Sequence, residues 1–358
     1  MGFRVTTLAR PLLTAALTPH PLDRYLELLD PMLVRGESRA RVVEVDRSIP
    51  RRVRLVLVPS GTWKGHVAGQ FIQLGVVIDG VRQTRCFSPA NAAGSPREPI
   101  ELIVTAQPGG LVSEHLHAHA RVGTVVSLSA ASGEFVLPDR LPTSLVLISG
   151  GSGITPVLSM LRTALASGHT GPITFLHYAR SSRDVSGYDE LRALASRHPQ
   201  LDLRLIYTRT PGGGHFAAAH LDAIDGIDDA QFFVCGPAAL MDAVEDHHRA
   251  AGWTQPLHRE AFLAPTFAAD PGDATGGTVT FLRSGTSVDN DGRSLLEQAE
   301  ASGLTPESGC RMGICFSCNS IKRSGAVRNL RTGAVDTESD TTIQLCINAP
   351  VGDVDIDV

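Results

Sequence analysis

Four cysteines near one end of the chain offer the clearest chemistry. Cys310, Cys315 and Cys318 stand in a C-x4-C-x2-C run, and Cys346 follows after twenty-seven residues. That spacing lets three thiolates share one tight loop while a fourth arrives from a distant segment, so each iron of a 2Fe–2S cluster can receive two sulfurs. Gly309 and Gly313 let the loop backbone come close enough for amide N–H groups to point at the cluster sulfurs. Zinc is the alternative, but zinc usually takes paired C-x2-C halves, and here the distal partner is a lone cysteine. Four of the six cysteines fall in the last fifty residues, which suits a metal centre in a reducing compartment better than a disulfide framework.

Other segments have the make-up of ligand loops. Gly109-Gly110-Leu111-Val112-Ser113 follows the strand-like run Leu102-Ile103-Val104 and opens a predicted helix, whose N-terminal amides would form an anion site. Gly150-Gly151-Ser152-Gly153-Ile154-Thr155-Pro156 follows the buried run Leu145–Ile148, and Pro156 fits a first helical turn. This is not the G-x-G-x-x-G fingerprint. Cys235-Gly236-Pro237 closes the run Phe232–Val234, at the strand end where parallel sheets bind ligands. Taken alone, Cys235 would read as a small core residue. Arg85-Cys86-Phe87-Ser88 presents a guanidinium, whose fork matches phosphate. Arg180, Ser181 and Arg183 follow the second sheet strand with no acid before Asp184, and taken alone they would read as a solvated basic loop. His115, His117 and His119 invite a metal reading, yet on a helix His117 points away from the other two.

These loops need elements to hold them. Residues 1–36 read as an extension with a short amphipathic helix, marked by Leu22, Tyr25, Leu26 and Leu29. From 37 to 138 the period is two: Val53, Leu55 and Leu57 alternate with Arg52, Arg54 and Val56, and Asp79-Gly80 is a hairpin turn. That pattern predicts an antiparallel β-barrel. From 139 to 265 strands alternate with helices, which predicts an α/β domain with a parallel sheet. Residues 266–276 read as a linker, and 277–358 as a small α+β domain in which Ser294 and Glu297 box the start of the helix Leu295–Ala301.

Composition narrows the classes. With 42% apolar and 19% charged residues, the 358-residue chain should be globular and multidomain. The net charge of −5 gives no reason to expect nucleic-acid binding. From Gly277 onward there are eleven acidic and seven basic residues, an imbalance that would steer docking onto a basic partner. No run of eighteen apolar residues marks a membrane span, and Leu12–Leu17 is short for a signal peptide, so the expected location is cytoplasmic, with membrane contact only through a partner.

The motifs together resemble the ferredoxin–NADP reductase superfamily, over about residues 37–358. Gly309–Cys318 with Leu345-Cys346 and Pro350 is similar to the ferredoxin module of oxygenase reductases, with a β-grasp-like fold. Arg85-Cys86-Phe87-Ser88 resembles the family's R-x-Y-S signature, with Phe87 for Tyr. The resemblance implies that Arg85 pairs with the flavin pyrophosphate, Phe87 packs on the flavin and Ser88 lies near its N5. It likewise implies that Val104, Gly109, Gly110, Val112 and Ser113 hold the flavin. Gly150, Gly151, Gly153, Thr155 and Pro156 resemble the G-G-x-G-x-T-P loop, and Cys235, Gly236, Pro237 and Met241 the C-G-P-x-x-L/M motif, both receiving the nicotinamide cofactor. The resemblance implies that Arg180, Ser181 and Arg183 contact the adenosine ribose, where two arginines with no acid before Asp184 favour a 2′-phosphate, hence NADPH over NADH. Glu260 and Phe262 resemble the E-x-F element that closes the flavin site. On this resemblance Ser88, Cys235, Glu260 and Phe262 form the catalytic group. The implied activity is electron transfer from NADPH (or NADH) through FAD (or FMN) to the cluster and on to an oxygenase or a membrane-bound desaturase. The acceptor is open between a membrane desaturase or alkane hydroxylase and a soluble Rieske, di-iron or haem oxygenase; an iron–sulfur redox sensor is the reading from another class.

Overall fold

The structure is a computed structural model that describes residues 27–262, apart from 28, 35 and 212, and residues 276–358, apart from 314. The helix expected around Leu22–Leu26 and nearly all of the expected linker lie outside the described residues. The chain divides into two compact units, one within 1–83 and 87–260, the other within 84–86 and 261–358.

Alternation of apolar residues builds the first sheet. Strands β1 (Ser38–Asp46), β2 (Arg52–Pro59), β3 (Ile72–Ile78), β4 (Val81–Phe87), β5 (Ile100–Thr105) and β6 (Val125–Leu128) lie in the order β4-β3-β6-β1-β2-β5. The expected barrel is therefore an open, curled sheet with β4 and β5 at its edges. Val53, Leu55 and Leu57 point into one core with Ile72, Leu74, Ile100, Leu102 and Val126. The β3–β4 turn has φ of 51° at Asp79 and 81° at Gly80, the two left-handed residues that a two-residue hairpin requires. Helix α1 (Leu111–His119) seals the sheet through Val112 and Leu116.

The second sheet is parallel throughout. Strands β7 (Ser144–Gly150), β8 (Ile173–Ala179), β9 (Leu201–Tyr207), β10 (Ala230–Cys235) and β11 (Leu257–Glu260) run β11-β10-β7-β8-β9. The sequence shows β7 to β10 as short apolar runs. It hides β11, a four-residue strand with two charged residues. Helices α2 (Ile154–Ala166), α3 (Tyr188–Arg197) and α4 (Ala238–Ala250) flank the sheet. The strand order reverses beside β7, so the loops leaving β7 and β10 stand next to each other at a topological switch point, where such sheets bind ligands.

In the second unit β12 (Thr278–Phe281), β13 (Thr286–Asp289), β14 (Asn319–Asn329), β15 (Val335–Asp336) and β17 (Asn348–Ile356) run β13-β12-β17-β14-β15, and β16 (Thr341–Gln344) pairs with β14. Helix α5 (Leu295–Ala301) opens with the capping box formed by Ser294 and Glu297, as the sequence predicts. Its Leu295, Leu296 and Ala299 pack on Val279, Phe281, Val354 and Ile356. Lys322 is fully buried. Its ammonium donates to the carbonyls of Gly325 (3.2 Å) and Asp336 (2.7 Å) and to the Asp336 carboxylate at 3.1 Å, which braces the excursion between β14 and β16.

Candidate active site

Backbone register creates the first part of the site. The loops at Gly150–Pro156 and Cys235–Pro237 approach so closely that a Cβ on Gly153 would lie 2.2 Å from the Cys235 carbonyl oxygen. Only glycine fits there. Pro156 takes the third position of α2, where no N–H is owed, and Thr155 Oγ1 donates to the Ser152 carbonyl at 3.3 Å. Parallel pairing sets Cys235 opposite Glu260. Cys235 is fully buried, and burial, with the Glu260 carboxylate second, pushes its thiol well up. Burial raises the Glu260 carboxyl to about 8, and its Oε2 is buried without a hydrogen-bond partner. Phe262 is half-buried just beyond the strand.

The second part belongs to the curled sheet. Ser88, at the end of β4, is buried, and its hydroxyl has no partner. Phe87 packs against the sheet core. Arg85 is half-buried, which lowers its guanidinium pKa, and Nη1 donates to the Thr84 carbonyl at 2.7 Å. Helix α1 begins at Leu111 with Gly110 as N-cap and no side-chain cap. Ser113 Oγ donates instead to the Gly110 carbonyl (3.1 Å) and accepts from the Gln107 amide, also at 3.1 Å. The helix start therefore keeps free N–H groups that favour an anion. These features fit a flavin: orphaned buried polar atoms at Ser88 and Glu260, and an uncapped helix start for its phosphate. The Val104 and Val112 side chains fill the core of the curled sheet, and that of Met241, on α4, fills the core of the parallel sheet. Their side chains support the site from below.

A third cluster gathers at the ends of β8 and β9. Arg180 and Arg183 are exposed, and Ser181 Oγ donates to Asp184 Oδ2 at 2.6 Å. The structure adds Arg209, whose amide donates to the Arg180 carbonyl at 3.1 Å and whose side chain is exposed. Its position just after β9, as Arg180 is just after β8, is the signal that would have found it. The His115 and His119 rings on α1 lie with centroids 5.0 Å apart, tilted by 48°. Among the described residues no three metal-ligating side chains gather around one point.

The cysteine loop presents thiols in two pairs. The Cys310 amide donates to Cys315 Sγ at 3.1 Å, and Cys318 Sγ and Cys346 Sγ are 3.2 Å apart. Hydrogen bonds from Cys310 hold the Cys315 thiol well below its usual range, and the bond to Cys346 brings Cys318 down to about 7. A Cβ on Gly309 would meet Cys315 Sγ at 2.8 Å. Two pairs of thiols with amides aimed at sulfur fit a two-iron cluster better than a single tetrahedral ion.

Comparison with known proteins agrees with this geometry. The family model of the oxidoreductase FAD-binding domain matches residues 51–137, and that of the oxidoreductase NAD-binding domain matches residues 147–246. The chain belongs to the FAD- and NAD-binding oxidoreductases of the ferredoxin–NADP reductase superfamily. It is 38% identical over 347 residues to an NADPH oxidoreductase of Mycobacterium tuberculosis, covering 95% of this chain and 90% of the relative. It is 32% identical to the ferredoxin reductase component of 3-ketosteroid-9-alpha-monooxygenase from the same organism, covering 88% and 90%. Among solved structures, phthalate dioxygenase reductase, described as a modular structure for electron transfer from pyridine nucleotides to [2Fe–2S], superposes with a TM-score of 0.64 at 25% identity, covering 89% of this chain and 97% of that one. No helix among the described residues is long and apolar enough to cross a membrane.

Proposed function

We propose that this oxidoreductase is the reductase component of an oxygenase system, taking a hydride from NADPH and releasing electrons one at a time. The observation that carries this reading is the presence of two thiol pairs on the same chain as the FAD- and NAD-binding domains. Cys310, Cys315, Cys318 and Cys346 would hold a 2Fe–2S cluster in a ferredoxin-like, β-grasp domain. Arg85, Ser88 and the start of α1 would hold FAD. Bound together, the flavin supplies two-electron acceptance and the cluster one-electron release.

The protein's own part is orientation and proton control. Gly150–Pro156 and Cys235–Pro237 bring the nicotinamide to the switch point of the parallel sheet. Burial keeps Cys235 a neutral thiol there. Glu260, protonated at neutral pH, and the Ser88 hydroxyl can donate hydrogen bonds at the flavin edge. Arg180, Arg183 and Arg209 offer guanidiniums to a 2′-phosphate, while the one acid nearby, Asp184, is engaged by Ser181. This supports NADPH. The acceptor is inferred to be an oxygenase from relatives named as monooxygenase reductase subunits.

The test is anaerobic addition of NADPH, then NADH, to the purified holoprotein, with flavin bleaching and the reduced-cluster EPR signal followed together. Bleaching followed by a cluster signal supports the path, and the faster nucleotide names the donor. Bleaching without iron, sulfide or EPR signal overturns the cluster step and leaves a plain flavin reductase.

A further inference from the structure

Two arginines stand side by side where β2 begins. Arg51 has φ of 58° and donates from Nη2 to the Ala106 carbonyl at 2.7 Å, bracing the turn that leads into α1. Arg52 reaches across to the other domain of the same unit. Its Nη1 donates to the Asp184 carbonyl at 2.6 Å and to Ser186 Oγ at 2.8 Å, 132 and 134 residues along the chain. Those acceptors lie at the end of the short turn Ser182–Asp184 and just beyond it; backbone bonds from the Asp184 and Val185 amides to the Ser181 and Ser182 carbonyls also hold the turn, and Ser181 Oγ donates to Asp184 Oδ2.

A cavity of about 270 Å³ lies against this contact, lined by Arg52, Ser186, Ile49, Ile103 and Leu158 among others. Val185 and Ser186 are buried and anchor the chain beyond the turn, whereas Ser182 and Arg183 are exposed. Within the turn, the direction of the Asp184 carboxylate is therefore set by hydrogen bonds more than by close-packed side chains. Burial lowers the Arg52 guanidinium pKa, Asp184 opposes that effect and Arg180 adds to it, so both charges lie within electrostatic reach. The neighbouring His177 is fully buried and bonded through Nδ1 to Ser149 Oγ at 2.9 Å. Burial, with Arg52 second, brings its pKa to about 3, so it adds no second cation beside Arg52.

We propose that Arg52 is a positioning residue for nucleotide selectivity: by gripping Asp184 O and Ser186 Oγ it keeps the Asp184 carboxylate turned onto Ser181 and away from Arg180 and Arg183. Two guanidiniums are thereby left free for the 2′-phosphate of NADPH. Released from Arg52, the carboxylate can pair with those arginines or accept from a ribose 2′-hydroxyl, and either outcome favours NADH. This inference rests on the proposal that the turn receives the adenosine ribose.

The experiment uses flavin-loaded full-length protein, with ferricyanide as electron acceptor and flavin content as the check on folding. In R52M, KM for NADPH rises about tenfold while KM for NADH and both kcat values stay within about twofold, as expected when a charge-assisted contact acts through substrate binding alone. R52K, which keeps a cation and one donor, recovers part of the selectivity and supplies the answer if R52M does not fold. S181A shifts selectivity the same way, and the double variant R52M/S181A falls no further than the larger single one, because both act on one carboxylate. R180A tests the underlying reading. If R180A lowers selectivity and R52M does not, Arg52 has no positioning role and the ribose assignment stands. If neither moves it, the ribose assignment fails and the inference fails with it. An equal loss of kcat with both nucleotides at an unchanged KM ratio means Arg52 is merely structural, which overturns the proposal.

Discussion

In the parallel sheet, reactive groups are fixed by backbone register. Cys235 faces Glu260 because β10 and β11 pair, and Gly153 lies against the Cys235 carbonyl with no room for a methyl group. In the second unit the first three cysteines hang on a loop outside the named helices and strands, where Arg311 and Phe316 take φ of 59° and 57°. Non-glycine residues rarely adopt that conformation, so the loop holds some strain that bonds to sulfur must offset. The sheet site is thus formed before any ligand arrives. On the proposed function the cysteine loop would lean on the cluster its thiols take up, as metal sites often do.

The largest expected effect breaks the loop side of this contrast alone. Cys346→Ser should abolish the cluster EPR signal and remove the iron, while flavin bleaching by NADPH continues at a rate within about twofold, because the two sites depend on different scaffolds. Next comes the sheet. Gly153→Val should cost about 3 kcal/mol or more in thermal or urea unfolding, since the obstacle is backbone that cannot move aside. Gly309→Ala meets side chains alone, Cys315 Sγ and Ser317 Oγ, and should cost about 1 kcal/mol, with its main effect on iron content. An equal loss from both glycine variants would erase the distinction.

A smaller effect concerns pH. The Glu260 carboxyl is raised to about 8 in the folded chain, against about 4.3 when unfolded. Between those values the unfolded chain has released a proton that the folded chain retains, so this group's contribution to stability falls as pH rises, by about 1.4 kcal/mol per pH unit. Below about 4.3 both states are protonated, and above 8 both are ionised, so the slope vanishes at each end. Glu260→Gln should therefore flatten the loss of Tm between pH 5 and pH 8.5, and slow flavin reduction if the carboxyl donates at the flavin edge. The smallest effect is Ser294→Ala, which removes one half of the capping box on α5 and should cost about 1 kcal/mol in the second unit alone, read by urea unfolding.

What could be read from the sequence was local. The Asp79-Gly80 hairpin and the Ser294–Glu297 box are short patterns whose geometry follows from a few neighbouring residues. The alternating runs also foretell one antiparallel and one parallel sheet. What escaped was set by distant partners. Arg52 reads as an outward strand residue, and nothing near it announces Asp184. Glu260 becomes a buried carboxyl only once β11 docks beside β10. The side chains of Val104, Val112 and Met241 fill cores, because a motif fixes where the backbone runs and packing decides where the side chain ends.

The buried ammonium of Lys322 also bears on how the protein can be handled. The sequence has only two lysines, Lys64 and Lys322, against thirty arginines. Lys322 is sealed inside the sheet, while Lys64 is exposed. An amine-reactive dye or tether therefore finds a single side-chain target, on the curled-sheet part of the first unit. Electrodes or resins coupled through the lysine side chain would hold every molecule by the same point of the curled sheet.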